Sequence, residues 1–198
     1  MSAEPWYRTD DPRRLDLRGA STMRALAHPA RIAILEHLFA GNSGTATELA
    51  EVCGLSPSAT SYHLRALAKA KLIEEAPNRG DGRERVWRSS FHGLNVATGP
   101  SASAAEQAAE HELTSTYVDL EHAKTHEYLA RRGGESQEWY DAAGFSSLRL
   151  MITAQELNEV NKKIHALLEP YGLTRRPADT VPSDARKVQV IYRAFPSD

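Results

Sequence analysis

Cysteine is almost missing from these 198 residues; Cys53 is the only one. A single thiol can close no intramolecular disulfide, which fits a reducing compartment, and the expected location is the cytoplasm. No apolar run approaches the roughly 18 residues of a membrane span, and the first residues lack the apolar core of a secretory leader, so no membrane partner is expected. Catalytic signatures are absent too: no glycine-rich phosphate loop, no nucleophile elbow, and no cysteine–histidine arrangement in a recognisable context. The sequence therefore reads as a non-enzyme with no cofactor. Lysine is scarce, at 6 against 18 arginines.

What is present concentrates between residues 26 and 90. Thr45 and Glu48 stand three apart, as a capping box requires, and open a short helix through Leu49, Ala50 and Val52 that Gly54 breaks. Leu55 plugs the turn. Ser56-Pro57 then supplies an N-cap residue and a proline at the first helical position. The second helix, about 56 to 70, sets Ala59, Leu64 and Leu67 toward a core. Ser58, Ser61, Tyr62 and Arg65 form its other face. Small hydroxyls, a phenol and a guanidinium on the first turns of a helix suit the reading of base edges and the holding of phosphates.

The segment 72–76 is strand-like, residues 77–82 form a strong turn signal, and 83–90 is strand-like again, with Val86 and Trp87 as its bulky members. A hairpin tipped by Arg79 and Arg83 directly after such a helix is a wing placed to clamp a DNA backbone. Together with a preceding helix from Pro29 to Ala40, this predicts a winged helix-turn-helix over 17–92. The DNA-binding candidates are Thr45, Ser56, Ser58, Ser61, Tyr62, Arg65, Arg79 and Arg83.

The formal charge of −2 seems wrong for a DNA binder until it is divided. Residues 1–95 carry 13 basic and 11 acidic side chains, and residues 96–198 carry 11 and 15. From Arg65 to Arg88 there are 7 basic and 4 acidic residues. The bias sits on the helix and wing. It is modest, so binding should lean on helix docking and dimer symmetry more than on bulk charge.

The runs Leu26-Ala27-His28-Pro29-Ala30-Arg31-Ile32-Ala33-Ile34-Leu35, Thr47-Glu48-Leu49-Ala50, Leu55 to Leu67 and Leu72-Ile73 resemble the ArsR-type bacterial transcriptional regulators. The resemblance covers roughly residues 20 to 92. It implies a homodimer bound to double-stranded operator DNA, usually as a repressor. Ser58, Ser61 and Tyr62 fall on its DNA-facing positions and Arg83 on its wing arginine. Two departures stand out. Lys71 occupies a helix-ending position that is usually glycine. The cysteine pair of the metal-sensing members is absent.

Outside this module, residues 1–16 read as an N-terminal arm. Residues 93–135 read as a linker and a long helix, about Ala104 to Arg131. Its stripe of Ala105, Ala109, Leu113, Tyr117, Leu120 and Ala123 needs a partner: a symmetry mate first, its own winged domain second. Residues 136–198 read as a small strand–helix–strand domain. It has strands at 145–152 and 187–195, and a helix opened by Thr153 and Glu156 and marked by Leu157, Val160, Ile164, Leu167 and Leu168. The fold class is thus mainly α with some β.

Other residues carry rival readings. His111 and His122 share one face of the long helix, with His126 a turn further on. The flanking positions where the resembling metal sensors have ligands hold Ala109 and Thr125, so these histidines read as solvated rather than as a metal site. His63 reads as a packing residue, and Arg31 as either a phosphate contact or half of an ion pair. Cys53 reads as a small buried residue. Trp139, Tyr140 and Phe145 pack a core or line a pocket for a small-molecule effector. The alternatives to an operator-binding regulator are a winged-helix module that binds protein, and a metal- or redox-responsive regulator.

Overall fold

A computed structural model describes residues 11–77, 84–96 and 98–197. Two short helices, α1 (Ala20–Leu26) and α2 (Pro29–Phe39), lead into a three-residue strand, β2 (Ser43–Thr45). The pair α3 (Ala46–Cys53) and α4 (Pro57–Lys69) follows, then β3 (Glu74–Ala76) and β4 (Val86–Arg88). β4 lies between β2 and β3 in an antiparallel sheet, with Trp87 opposite both Gly44 and Glu75. A four-helix core followed by an antiparallel strand pair, backed by a third strand, is a winged helix-turn-helix.

Local chemistry sets these boundaries. Thr45 Oγ1 accepts from the Glu48 amide at 3.2 Å while Glu48 Oε2 accepts from the Thr45 amide at 2.7 Å, closing the expected capping box. Gly54, at φ 64°, ends α3 in the left-handed conformation that costs glycine nothing. Ser56 Oγ accepts from the Ala59 amide at 3.3 Å, and Pro57 begins α4. That helix ends in a Schellman motif: the Lys71 amide donates to Ala68 O at 2.9 Å and the Leu72 amide to Leu67 O at 3.0 Å. The motif needs a left-handed residue, and Lys71 adopts φ 58° to supply it. A lysine there carries the steric cost that glycine avoids.

Met23, Leu26, Ile32, Ile34, Leu35, Leu38, Leu49, Leu64, Leu67 and Leu72 are all buried in one cluster, closed at the sheet by Trp87. Leu55 departs from its expected place: it is 37% exposed and faces solvent instead of plugging the turn.

β1 (Arg14–Leu17) pairs in parallel with β5 (Gly93–Val96), which draws part of the expected arm and part of the expected linker into a two-stranded sheet. Arg14 locks it. Its Nη2 donates to Asn95 Oδ1 at 2.9 Å and its Nε to the same oxygen at 3.2 Å, while Asn95 Nδ2 donates to Asp16 at 3.1 Å.

The long helix, α5 (Ala104–Arg131), has the predicted bounds. Its first half packs on its own winged domain: Ala109 and Leu113 are fully buried in the shared core, with Tyr117 and Leu120 packed against it. Lys124 pairs with Glu36 on α2 at 2.8 Å. Burial, with Glu36 and Glu121 nearby, pushes the Tyr117 phenol well above its ordinary range.

After a 3-10 turn at Arg132–Gly134 come α6 (Gln137–Ala142), which the sequence pattern did not announce, and α7 (Ala154–Leu168), opened by the expected Thr153–Glu156 capping box. The mainly helical class and the order of winged domain, long helix and small C-terminal region are as expected. The two flanking strands are the correction. Among the described residues, neither 145–152 nor 187–195 joins a ladder. Two strands alone are marginal, and polar tethers hold the last segment against helices instead. Tyr192 Oη donates to Asn161 Oδ1 on α7 at 2.7 Å, and Arg193 pairs with Glu121 on α5. Leu148 is 79% exposed and Met151 wholly so.

Candidate nucleic-acid interface

α4 is amphipathic at a spacing that fixes its two faces. Thr60, His63, Leu64 and Leu67 are buried; Ser58, Tyr62 and Arg65 are exposed, and Ser61 is half-buried beside them. Positions 58, 61, 62 and 65 follow the i, i+3, i+4, i+7 rule, so the four share one stripe. Tyr62 stands 59% exposed on it.

Thr45 and Ser56 differ in kind from these four. Each hydroxyl oxygen already accepts a cap hydrogen bond, so each positions a helix before it could touch a partner. Arg79 and Arg83 lie outside the described residues. β3 and β4 are tied together by Arg88 with Glu74 at 3.0 Å and Arg85 with Glu75 at 3.0 Å.

Behind the stripe sits a cluster that spacing could not reveal. The ring of His63 lies 4.5 Å from that of His28, the N-cap residue of α2. His28 Nδ1 accepts from the Ala30 amide at 3.1 Å. Arg31 donates through Nε to His63 Nδ1 at 3.3 Å and through Nη1 to Ala25 O at 2.6 Å. Its guanidinium lies 6.0 Å from the Tyr62 ring centroid, and Tyr62 meets His63 edge-on at 5.4 Å. Burial, with Arg31 nearby, holds both imidazoles below their usual range; for His63 the neighbouring His28 adds to this. Neutral rings that accept at Nδ1 carry their proton on Nε2. Of the two readings of Arg31, no ion pair is seen among the described residues.

The remaining candidates are dispersed. His111, His122 and His126 are exposed along α5, and no group of three or more metal-type side chains gathers among the described residues. Cys53 is half-buried, with Sγ donating to Leu49 O at 3.1 Å. Trp139, Tyr140 and Phe145 do not meet ring to ring. Arg186 covers Trp139 at 4.7 Å, Arg132 covers Tyr140 at 4.2 Å, and Phe145 leans on Tyr128 at 6.3 Å. No described helix is long and apolar enough to cross a membrane.

Comparison with known proteins agrees on the module. A family model described as a helix-turn-helix domain matches residues 26–76. No curated protein matches the chain. Among solved structures, two of Lactococcus lactis ZitR show distant similarity. One is a doubly substituted apo form, 21% identical, covering 73% of this chain and 83% of that one at a TM-score of 0.31. The other, described as a zinc-responsive MarR family member, is 15% identical and covers 83% of each chain at a TM-score of 0.30. Overlap this low adds nothing to the fold or the chemistry.

Proposed function

We propose that this chain is a sequence-specific DNA-binding transcriptional regulator, a homodimeric repressor of the ArsR-like kind acting on a pseudo-palindromic operator. One observation carries the reading. α4 turns Ser58, Ser61, Tyr62 and Arg65 outward on a helix whose opposite side is anchored in the core, next to a hairpin. A helix so held fits a major groove and presents donors to base edges and phosphates. In this reading Ser58, Ser61 and Tyr62 meet bases or phosphates, Arg65 a phosphate, and Arg79 and Arg83 the flanking backbone. Two such modules on a twofold axis reach successive turns of DNA.

Genomic fragments bound by the purified protein, selected at two salt concentrations, test it. An enriched inverted repeat whose affinity falls steeply with salt is expected. The absence of any enriched sequence counts against it. The rival reading, a winged helix that binds protein, draws support from Val52 and Leu55, which stand exposed at the helix-turn-helix bend; it predicts no salt-dependent DNA affinity.

A further inference from the structure

The exposed stripe of α4 includes one side chain, Tyr62, whose placement depends on a different helix. A free phenol on a helix surface samples several rotamers, and ordering it on binding costs affinity. Here its ring is bounded on one side by the His63 edge and on another by the Arg31 guanidinium. Arg31 is itself fixed at two points, the Ala25 carbonyl at the end of α1 and His63 Nδ1. His63 is buried and its ring lies tilted against that of His28, the cap of α2, at 4.5 Å. The chain of contacts thus runs from the α1–α2 junction to the tip of the DNA-facing stripe.

We infer that Arg31, held by Ala25 and His63, is a positioning residue that pre-orders Tyr62 and so sets operator affinity. The inference rests on the DNA-binding reading above. It places Arg31 behind the contact surface, not on a phosphate. The planar guanidinium is essential: it donates through Nε to the imidazole while the same cation faces the phenol. A lysine ammonium is a compact point charge without the planar fork that reaches His63 through Nε and Ala25 O through Nη1.

A double-mutant cycle on the intact protein separates the possibilities. Arg31→Lys should weaken operator binding by about two- to tenfold, the size expected from unfreezing one side chain. In a Tyr62→Ala background the same change should add nothing, and the salt slope should stay constant throughout. A loss that persists in the Tyr62→Ala background overturns the inference. If the charge-removing Arg31→Gln also lowers the salt slope by about 0.9, Arg31 touches a phosphate. If the loss comes with a lowered melting temperature, Arg31 only supports the fold.

A second readout needs no DNA. Nitrogen-15 shifts of the free protein should show His63 as the Nε2–H tautomer, giving way to a tautomer mixture in Arg31→Lys. A mixed tautomer in the unsubstituted protein overturns the positioning contact. A pure tautomer in a protein that binds no fragment leaves the contact standing and removes both the operator role and the reading it rests on.

Discussion

The winged domain and the C-terminal third are similar in apolar patterning and opposite in burial. In the first, almost every leucine and isoleucine that the pattern sends inward is buried, from Leu17 to Leu72. In the second, α7 buries only Asn161, and Phe145, Leu150, Met151, Leu167, Val188 and Phe195 stay exposed. The difference lies in closure. Four helices and a sheet enclose a volume, and α5 lays Ala109 and Leu113 over the remaining side. α7, flanked by unpaired extended segments, encloses nothing, and its region meets the rest through polar tethers such as Arg193 with Glu121 on α5 as well as through Phe145 on Tyr128. Apolar alternation states what could be buried; topology decides what is.

The largest effects should expose this contrast. Leu64→Ala removes a fully buried side chain and should cost about 2–5 kcal/mol. Leu148→Ala, on an exposed segment, should stay within about 0.5 kcal/mol. Denaturant melts of both variants check the pair, and equal losses would erase the distinction between the regions. Next, Tyr62→Ala should reduce operator affinity by about tenfold or more, the scale of one good base contact, with an unchanged melt. Binding isotherms beside thermal scans decide it, and full retention of affinity strikes Tyr62 from the interface.

Acid should separate the two regions as well. His28, His37 and His63, all in the winged domain, are held below the imidazole value of 6.5, chiefly by burial. The unfolded chain then takes up protons before the folded one, so their contribution to stability declines as pH falls below about 6.5. In the C-terminal region, hydrogen bonds from Arg186 lower Glu135 and hydrogen bonds from Thr153 lower Glu156. Those contributions fade only below the ordinary carboxylate value of 4.5. The indole NMR signals of Trp87 and Trp139 follow the regions separately. Loosening at Trp139 before Trp87 would reverse the expected order. The smallest change is Lys71→Gly, which relieves the left-handed residue and should raise stability by up to about 1 kcal/mol. A lower melting temperature would place some other contact of Lys71 above its backbone strain.

Much of this was legible in sequence because helix caps are local. Thr45 with Glu48, Ser56 with Pro57, and Thr153 with Glu156 announce three helix starts within four residues each, and the structure keeps all three. The stripe of Ser58, Tyr62 and Arg65 was readable for the same reason. What escaped is non-local. β1 and β5 pair across some eighty residues through Arg14 and Asn95, neither of which signals a strand by itself. β2 is three residues long, one of them glycine, and exists because β4 lies alongside. Arg31 and His63 are 32 positions apart, so their contact waited on the packing of α2 against α4. The C-terminal alternation was equally plain, and it misled because a strand needs a neighbour that one chain does not supply.

Hydroxyl-radical labelling of the protein with and without its selected DNA fragment tests the central claim most directly. Tyr62 on α4 and Phe145, Met151 and Phe195 in the C-terminal third are all exposed and reactive side chains. The account predicts that DNA shields Tyr62 and leaves the other three unchanged. Shielding of the C-terminal residues with Tyr62 still reactive would contradict it, and would move the interface to the other end of the molecule.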